Sequence, residues 1–348
     1  MKKKFAIDCS KLNTFEKSGT HRFLVGFLNE LTKNKLFDYT FFYNQFNPEL
    51  NDFDFIKRGE VVILHSKSLY TQFHLLKEIN NFDYFLFPWQ TLPFFGLFSK
   101  AIKISVIHDT GFSLKTKLFT LLTQLTSDQL FSVSKFTAEN LIRPSVIISE
   151  GVDSEIFHNI VLKDLNSLRK SLDVPDFFIL TLGRIEKRKN IYNNLEAFSI
   201  VQKYFPKLKY VIVGPFIESE SDIYSFIDRL QMDRTKVVFK KYISDFDLNI
   251  YLNCMEFMVF TPKIEGFGLP VLEAYSVQKM VILSKIQALA DFGLTAKQYV
   301  NPEDPKDIAE RVINLLKRNE STKLGKAFKS ILDKYSWKNS VSNFINNI

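Results

Sequence analysis

Short apolar runs alternate with amphipathic stretches along most of the 348 residues. Apolar runs bounded by polar turns read as buried strands, and stretches with helical periodicity read as the connections between them. In the first half the pattern predicts strands at Lys4–Asp8, Tyr39–Tyr43, Val61–His65, Tyr84–Pro88, Lys103–His108 and Gln129–Val133, with a short one at Val146–Ile148. Helices are predicted at Gly19–Lys33, Leu69–Asn80 and Ser134–Leu141. A second alternation predicts strands at Phe177–Leu182, Leu208–Gly214, Lys236–Phe239, Phe257–Thr261 and Met280–Leu283. Its helices fall near Asn190–Tyr204, Ser221–Gln231 and Phe246–Asn253, from Pro270 onward, near Pro305–Lys317 and at Trp337–Ile348.

Strand–helix alternation of this kind predicts parallel sheets covered by helices. Apolar periodicity lapses over Gly151–Lys170, so two successive doubly wound units fit better than one large sheet. The expected domains are 1–155 and 156–330. Open parallel sheets bind ligands at the carboxyl ends of their strands, and a cleft between two such domains is the natural site.

Composition narrows the classes. With 46% hydrophobic and 24% charged residues, a sizeable core is available and the composition argues against disorder. Cys9 and Cys254 lie far apart without metal-ligand spacing and are expected to be buried free thiols in a reducing compartment. The start MKKKFAID has only Phe5, Ala6 and Ile7 as apolar residues before Asp8, so no secretory signal is expected. No stretch reaches the ~20 apolar residues of a membrane span; Tyr84–Ala101 is interrupted by Pro88, Gln90, Thr91 and Pro93. The expected location is cytoplasmic. A net charge of +8 fits an anionic membrane surface, phosphate-bearing substrates or nucleic acid, although an A/T-rich genome would equally favour lysine and the 36 phenylalanines.

The chemistry concentrates in Glu265–Ala274, EGFGLPVLEA. Gly266 and Gly268 let backbone N–H groups approach a ligand, and Pro270 fits a first helical position. The helix N-terminus behind the turn suits a phosphate, and Glu265 before the turn and Glu273 on the first helical turn can hydrogen-bond hydroxyls on either side of it. Hydroxyl, diphosphate, hydroxyl is the layout of a nucleotide sugar. In Thr181–Asn190, TLGRIEKRKN, four cations (Arg184, Lys187, Arg188 and Lys189) follow a strand end, where Arg and Lys can meet a diphosphate. A solvated basic loop is the plainer alternative.

Other polar positions carry weaker signals. His108 and Asp109 end an apolar strand, and His21 lies in SGTHRF, where Gly19 could admit a phosphate. His65, His74 and His158 have no partner spacing. Asp52–Asp54 and Asp245–Asp247 match D-x-D, but Ser244 and Asp247 read as a helix cap and its partner, and no metal site is expected. Leu92–Lys103 mixes aromatics with lysines and could touch a membrane surface, or simply pack into the core.

With these motifs the chain resembles the retaining GT-B glycosyltransferases of family 4, also called the group 1 family. GRIEKRKN at Gly183–Asn190, YVIVGP at Tyr210–Pro215 and EGFGLPVLEA, as an E-x7-E signature, carry the likeness. SGTHRF, VIHD and VSKF follow in the first half, and YSWKNS near the end. The resemblance implies two Rossmann-like domains facing across a cleft. The first binds the acceptor and the second the nucleotide sugar, and residues 331–348 form a closing helix that returns to the first domain. It implies a metal-independent enzyme with no cofactor. The donor would be a GDP- or UDP-sugar held by Gly19, Arg184, Lys189, Glu265, Gly266, Phe267, Gly268, Leu269 and Glu273. Arg184 and Lys189 would bind the diphosphate, Glu273 the ribose and Glu265 the transferred sugar, with His108 beside that sugar. Glu265, His108, Arg184 and Lys189 form the implied catalytic set. The chain departs from the family at Glu150, usually Asn, and at Lys263, often Ser.

The expected reaction is transfer of a hexose, with a lean to mannose, onto a hydroxyl of a glycan or lipid-linked oligosaccharide in surface polysaccharide synthesis. A peripheral contact with the inner membrane's cytoplasmic face would use the basic charge. The competing reading is a catalytically weak sugar-nucleotide-binding subunit of a polysaccharide-assembly complex. Nucleic-acid binding has no motif to support it.

Overall fold

The computed structural model describes residues 2–13, 19–46, 52–66, 74–89, 96, 99–109, 114–318 and 325–348. Contacts divide the chain into two compact units, Met1–Gly151 with Tyr335–Ile348, and Val152–Lys334.

Unit 1 begins with β1 (Lys3–Asp8), α1 (Gly19–Leu31), β2 (Phe37–Tyr43) and β3 (Gly59–Ile63), then α2 (Leu75–Glu78) and β4 (Tyr84–Phe87). It continues with β5 (Ile102–Ile107), α3 (Leu114–Thr126), β6 (Gln129–Ser132), α4 (Lys135–Glu139) and β7 (Val146–Ile147). Among the described residues these seven strands form one parallel sheet in the order β3-β2-β1-β4-β5-β6-β7. β1 is central, with Phe5 opposite Tyr39 of β2 and Tyr84 of β4. Its last four residues are buried, as a strand covered on both faces requires. α1 buries Phe23, Leu24, Phe27, Leu28 and Leu31, which recur at the three- and four-residue steps of a helix face.

Unit 2 comprises α5 (Leu162–Ser171), β8 (Phe178–Leu182), α6 (Ile191–Tyr204), β9 (Lys209–Val213), α7 (Glu220–Arg229) and β10 (Val237–Lys240). It continues with α8 (Asp245–Cys254), β11 (Met258–Phe260), α9 (Leu269–Ser276), β12 (Val281–Ser284), β13 (Tyr299–Val300), α10 (Pro305–Arg318) and α11 (Gly325–Lys334). Its strands form a parallel sheet ordered β10-β9-β8-β11-β12-β13. The chain then ends in α12 (Trp337–Ile345), which packs on α1 of unit 1. Ser336 caps α12 by accepting from the Asn339 N–H at 3.3 Å. Phe344 is fully buried there, with ring centroids 5.2 Å from Phe27 and 4.7 Å from Phe131.

Most predicted strands are present within one or two residues of the expected bounds, while three helices escaped the pattern. α5 buries only Leu165, and the described core contact of α11 is Phe328, so neither shows a continuous apolar stripe. α3 was missed because its buried positions are Thr and Gln rather than leucine. The expected helix at 69–80 is described only from residue 74 and is a single turn of α-helix followed by a 3₁₀ turn. Cys254 is half-buried rather than fully buried, whereas Cys9 is buried as expected. Ser244 does cap α8, accepting from the Asp247 N–H at 3.0 Å.

Candidate active site

In unit 2 the strand order reverses between β8 and β11. A doubly wound sheet opens a crevice at such a reversal, beyond the carboxyl ends of the strands. The loops carrying the two strongest sequence motifs both start there.

The first loop leaves β8 at Gly183 and runs hard against the end of β9. Gly214 sits at φ +149°, and a Cβ on it would lie 2.1 Å from the Gly183 carbonyl oxygen. Only glycine permits that backbone approach. The Gly183 N–H donates to the Val213 carbonyl and the Ile185 N–H to the Pro215 carbonyl, both at 2.9 Å. Beyond the turn, Asn190 is left-handed at φ 66° and buried, and its Nδ2 donates to the Pro302 carbonyl at 2.7 Å. Asn is among the few non-glycine residues that tolerate this conformation.

The second loop follows β11. Its Lys263 N–H donates to the Arg188 carbonyl at 2.9 Å, so the two loops are joined backbone to backbone. Beneath them, Thr261 donates to Asn194 at 2.6 Å, and Thr181 bridges the Tyr210 hydroxyl and the Val259 carbonyl at 2.7 Å each. Burial pushes the Tyr210 phenol well above its ordinary range, so it stays a neutral partner in this network.

On this floor Lys189 Nζ donates directly to Glu265 Oε2, and each side chain keeps only 15% of its exposure. The ammonium also lies 5.4 Å from the Phe260 ring centroid. Glu186 gathers the two arginines of the loop, with Arg188 Nε 2.8 Å and Arg184 Nε 3.6 Å from its Oε1. Arg184 remains 49% exposed, so its guanidinium is open to an incoming anion. Lys263, which departs from the family pattern, pairs with Glu303 at 2.5 Å.

Gly268, at φ +131°, caps α9, which begins at Leu269 with Pro270 in its first turn, one residue earlier than expected. Phe267 and Leu269 are buried, and the Phe267 ring packs edge-on against Phe292 at 5.2 Å. Their side chains belong to the core, so these two positions can offer a ligand only backbone. Glu273 lies on the second turn of α9, not the first, and is buried.

Unit 1 has its own order reversal, between β1 and β4. Asp8 ends β1, is fully buried, accepts from the Ser10 N–H at 3.0 Å and is hydrogen-bonded by the Trp89 side chain. Burial pushes its carboxyl up to about 6. His108 follows β5; Nε2 lies 2.9 Å from the Pro88 carbonyl and Nδ1 3.4 Å from Glu150 Oε1. The imidazole stands edge-on to Phe23 at 4.6 Å. Sequence reasoning did not single out Asp8, although an acid closing an apolar strand was a signal. Glu150 was noted only as a departure from the family, and its pairing with His108 was not visible.

The remaining expected positions lie in unit 1 and on α8. Gly19 opens α1 with nothing within 4 Å of where a Cβ would stand. His21 is packed in the core, 5.9 Å from the Phe53 ring. Asp54 pairs with Lys57 at 2.8 Å, and Asp247 is the capped residue of α8. Among the described residues, no group of three or more His, Cys, Asp or Glu is placed to hold a metal. Half of the aromatic segment Leu92–Lys103 lies outside the described residues, as does Ser18. No described helix is long and apolar enough to cross a membrane.

Residues 165–330 match the family model of group 1 glycosyl transferases. A serotype-specific mannosyltransferase WbdA of Escherichia coli is 29% identical over 194 residues, 52% of this chain and 24% of that protein. The O-antigen chain mannosyltransferase B of Escherichia coli is 26% identical over 172 residues, 49% of this chain and 45% of the relative. This chain therefore spans about a quarter of the length of the first of these relatives. Anabaena Alr3699/HepE, solved with UDP and glucose, superposes with a TM-score of 0.81 at 13% identity, over 99% of this chain and 98% of that one. Sucrose-phosphate synthase from Thermosynechococcus elongatus gives 0.77 at 15% identity, over 99% and 98% of the two chains. The fold is GT-B, built from two Rossmann-like domains.

Proposed function

We propose that this chain, whose residues 165–330 match the group 1 glycosyl transferase model, moves a hexose from a nucleoside diphosphate sugar to a hydroxyl of a glycan or lipid-linked acceptor. The likeness to a serotype-specific mannosyltransferase and to an O-antigen chain mannosyltransferase favours mannose and a role in surface polysaccharide synthesis. The observation that carries the reading is the Lys189–Glu265 pair at the order reversal of unit 2, beside the exposed Arg184. It holds a cation and a carboxylate side by side, which supports the reading.

The departing diphosphate gains charge in the transition state, so cations held in place before the reaction stabilise that state more than the ground state. Arg184 and Lys189 supply this charge without a metal. Glu273 takes the ribose hydroxyls, and the backbone of Gly266–Gly268 takes the sugar and phosphate. Positive charge developing on the sugar ring is offset by Glu265. As the bond from the anomeric carbon to the phosphate oxygen breaks, the acceptor oxygen bonds that carbon on the same face. Its proton passes to the leaving phosphate oxygen, which retains the anomeric configuration. In unit 1 the reading assigns His108 to the transferred sugar, its ring fixed by Glu150 and the Pro88 carbonyl.

A thermal-shift panel of UDP, GDP, ADP and their sugars, with and without EDTA, tests the donor site, because a ligand of the native state raises its stability by mass action. One nucleotide should shift the wild type, undiminished by EDTA, and fail to shift Glu273→Ala. No shift with any nucleotide overturns the assignment. Turnover with that donor, with the product's anomeric configuration read by NMR, separates a transferase from a binding subunit.

A further inference from the structure

Helix α3 is built with its polarity inverted. Leu114, Leu118, Leu121 and Leu125 recur on one face and are 85%, 53%, 37% and 56% exposed. The opposite face, with Thr120, Thr123, Gln124 and Thr126, is buried. A water-facing helix shows the reverse arrangement.

The inversion is enforced by hydrogen bonds. Gln124 Oε1 accepts from the Ile142 N–H at 2.8 Å, and Arg143 donates to the Gln124 carbonyl and, at 2.8 Å, to the Ser127 carbonyl. Ser127, just past the helix, donates to Ser105 of β5 at 2.8 Å. Turning α3 over to bury its leucines would strand these groups, each at a cost of roughly 1–3 kcal/mol. The leucines are therefore held outward.

The ridge spans the eleven residue steps from Leu114 to Leu125, roughly 16 Å at the helical rise. Ile142, also exposed, lies beside its end through the bond to Gln124 and lengthens it. Exposed Lys117 flanks the ridge, and residues 114–126 contain no Asp or Glu. A narrow convex ridge of leucine edged by lysine matches a helix that lies in a bilayer interface, with apolar side chains among the acyl chains and cations at the headgroups. Two copies meeting ridge to ridge would instead bring lysines of like charge together over one short helix. A single helix face falls short of the ~800 Å² per partner of a standard interface.

We propose that the leucine ridge of α3 docks this protein onto an anionic bilayer surface. The docking does not depend on which donor or acceptor the chain uses, and vesicle binding reads it without turnover.

The test is co-sedimentation of the full chain with phosphatidylcholine vesicles, with and without about 30% phosphatidylglycerol, at low and high salt. Wild type should bind the anionic vesicles, less at high salt. Leu118→Gln/Leu125→Gln should weaken binding at least about tenfold, and Lys117→Glu should weaken it on anionic vesicles alone. Both changes lie at exposed positions, so thermal unfolding should stay within a few degrees of wild type. Should the double variant lose stability, Leu114→Gln, at the most exposed leucine of the ridge, repeats the test. Wild type that ignores both vesicles, or leucine variants that bind as well as wild type, would overturn the proposal. So would a wild-type dimer in sedimentation velocity that the double variant abolishes, which would identify a second copy as the occupant.

Discussion

Replacing Lys189 by Met removes the ammonium while keeping much of the stem that packs near Phe260. It should damage stability and catalysis by separable amounts. Breaking a fully buried ion pair by deleting one partner costs about 3–5 kcal/mol. With 15% of each side chain still exposed, about 2 kcal/mol is the appropriate scale here. For a unit of this size that corresponds to a drop of about 4–8 °C in the transition of unit 2. The catalytic loss is larger, because a fixed donor to the developing charge contributes about 3–4 kcal/mol, or 10²–10³ in kcat. Lys189→Met/Glu265→Gln separates the two effects, since it removes the stranded carboxylate and leaves a neutral amide. Melting should recover toward wild type, while kcat with the donor found by thermal shift should stay at least about a hundredfold down. A loss of tenfold or less in the single variant, or recovery of kcat in the double, would refute the assignment of Lys189 to the diphosphate.

Arg184→Ala should lose at least about a hundredfold in kcat with almost no change in melting, since its ion pair is half-exposed; steady-state kinetics beside a melt checks both parts. Asp8 gives a pH signature. Its folded value of about 6 lies above the ordinary 3.8, so the folded state binds the proton more tightly and stability falls as pH rises through that window. Asp8→Asn should therefore gain up to about 3 kcal/mol above pH ~6 and flatten the profile, as measured by urea unfolding on either side of the window; an unchanged profile would rule out Asp8 as its source. Gly214→Ala places a methyl 2.1 Å from a backbone oxygen that cannot swing away, and unit 2 should lose its cooperative melting transition.

Both the fold and the strongest motif were legible because each rests on local information. Buried parallel strands read as continuous apolar runs, and Gly183, Gly268 and Pro270 do their work within a few residues of their own position. What escaped depends on partners distant in sequence. Lys189 and Glu265 are 76 residues apart, and Asn190 reaches the Pro302 carbonyl across 112. Nothing near Glu150 in sequence announces His108. In α3 periodicity fails for a different reason, because its leucines face outward and its threonines inward, so a rule that equates apolar with buried points the wrong way. The second turn of α9, rather than the first, holds Glu273 because the helix starts at Leu269 and the spacing counts from there.

The placement of α12 has a consequence for how the protein is made. Unit 2 is one uninterrupted stretch of chain, whereas unit 1 is assembled from Met1–Gly151 and the final fourteen residues, Tyr335–Ile348. Unit 2 needs nothing beyond Lys334 to complete its core, whereas unit 1 stays incomplete until the helix that brings Trp337 and Phe344 to Phe23 and Phe27 has been added. A stop codon shortly before Trp337 would thus damage the first unit and spare the one that immediately precedes the break. For chimeras, Val152–Lys334 is the transplantable cassette. Its host must be supplied as a split scaffold, because residues 1–151 alone would expose the aromatic surface that α12 covers.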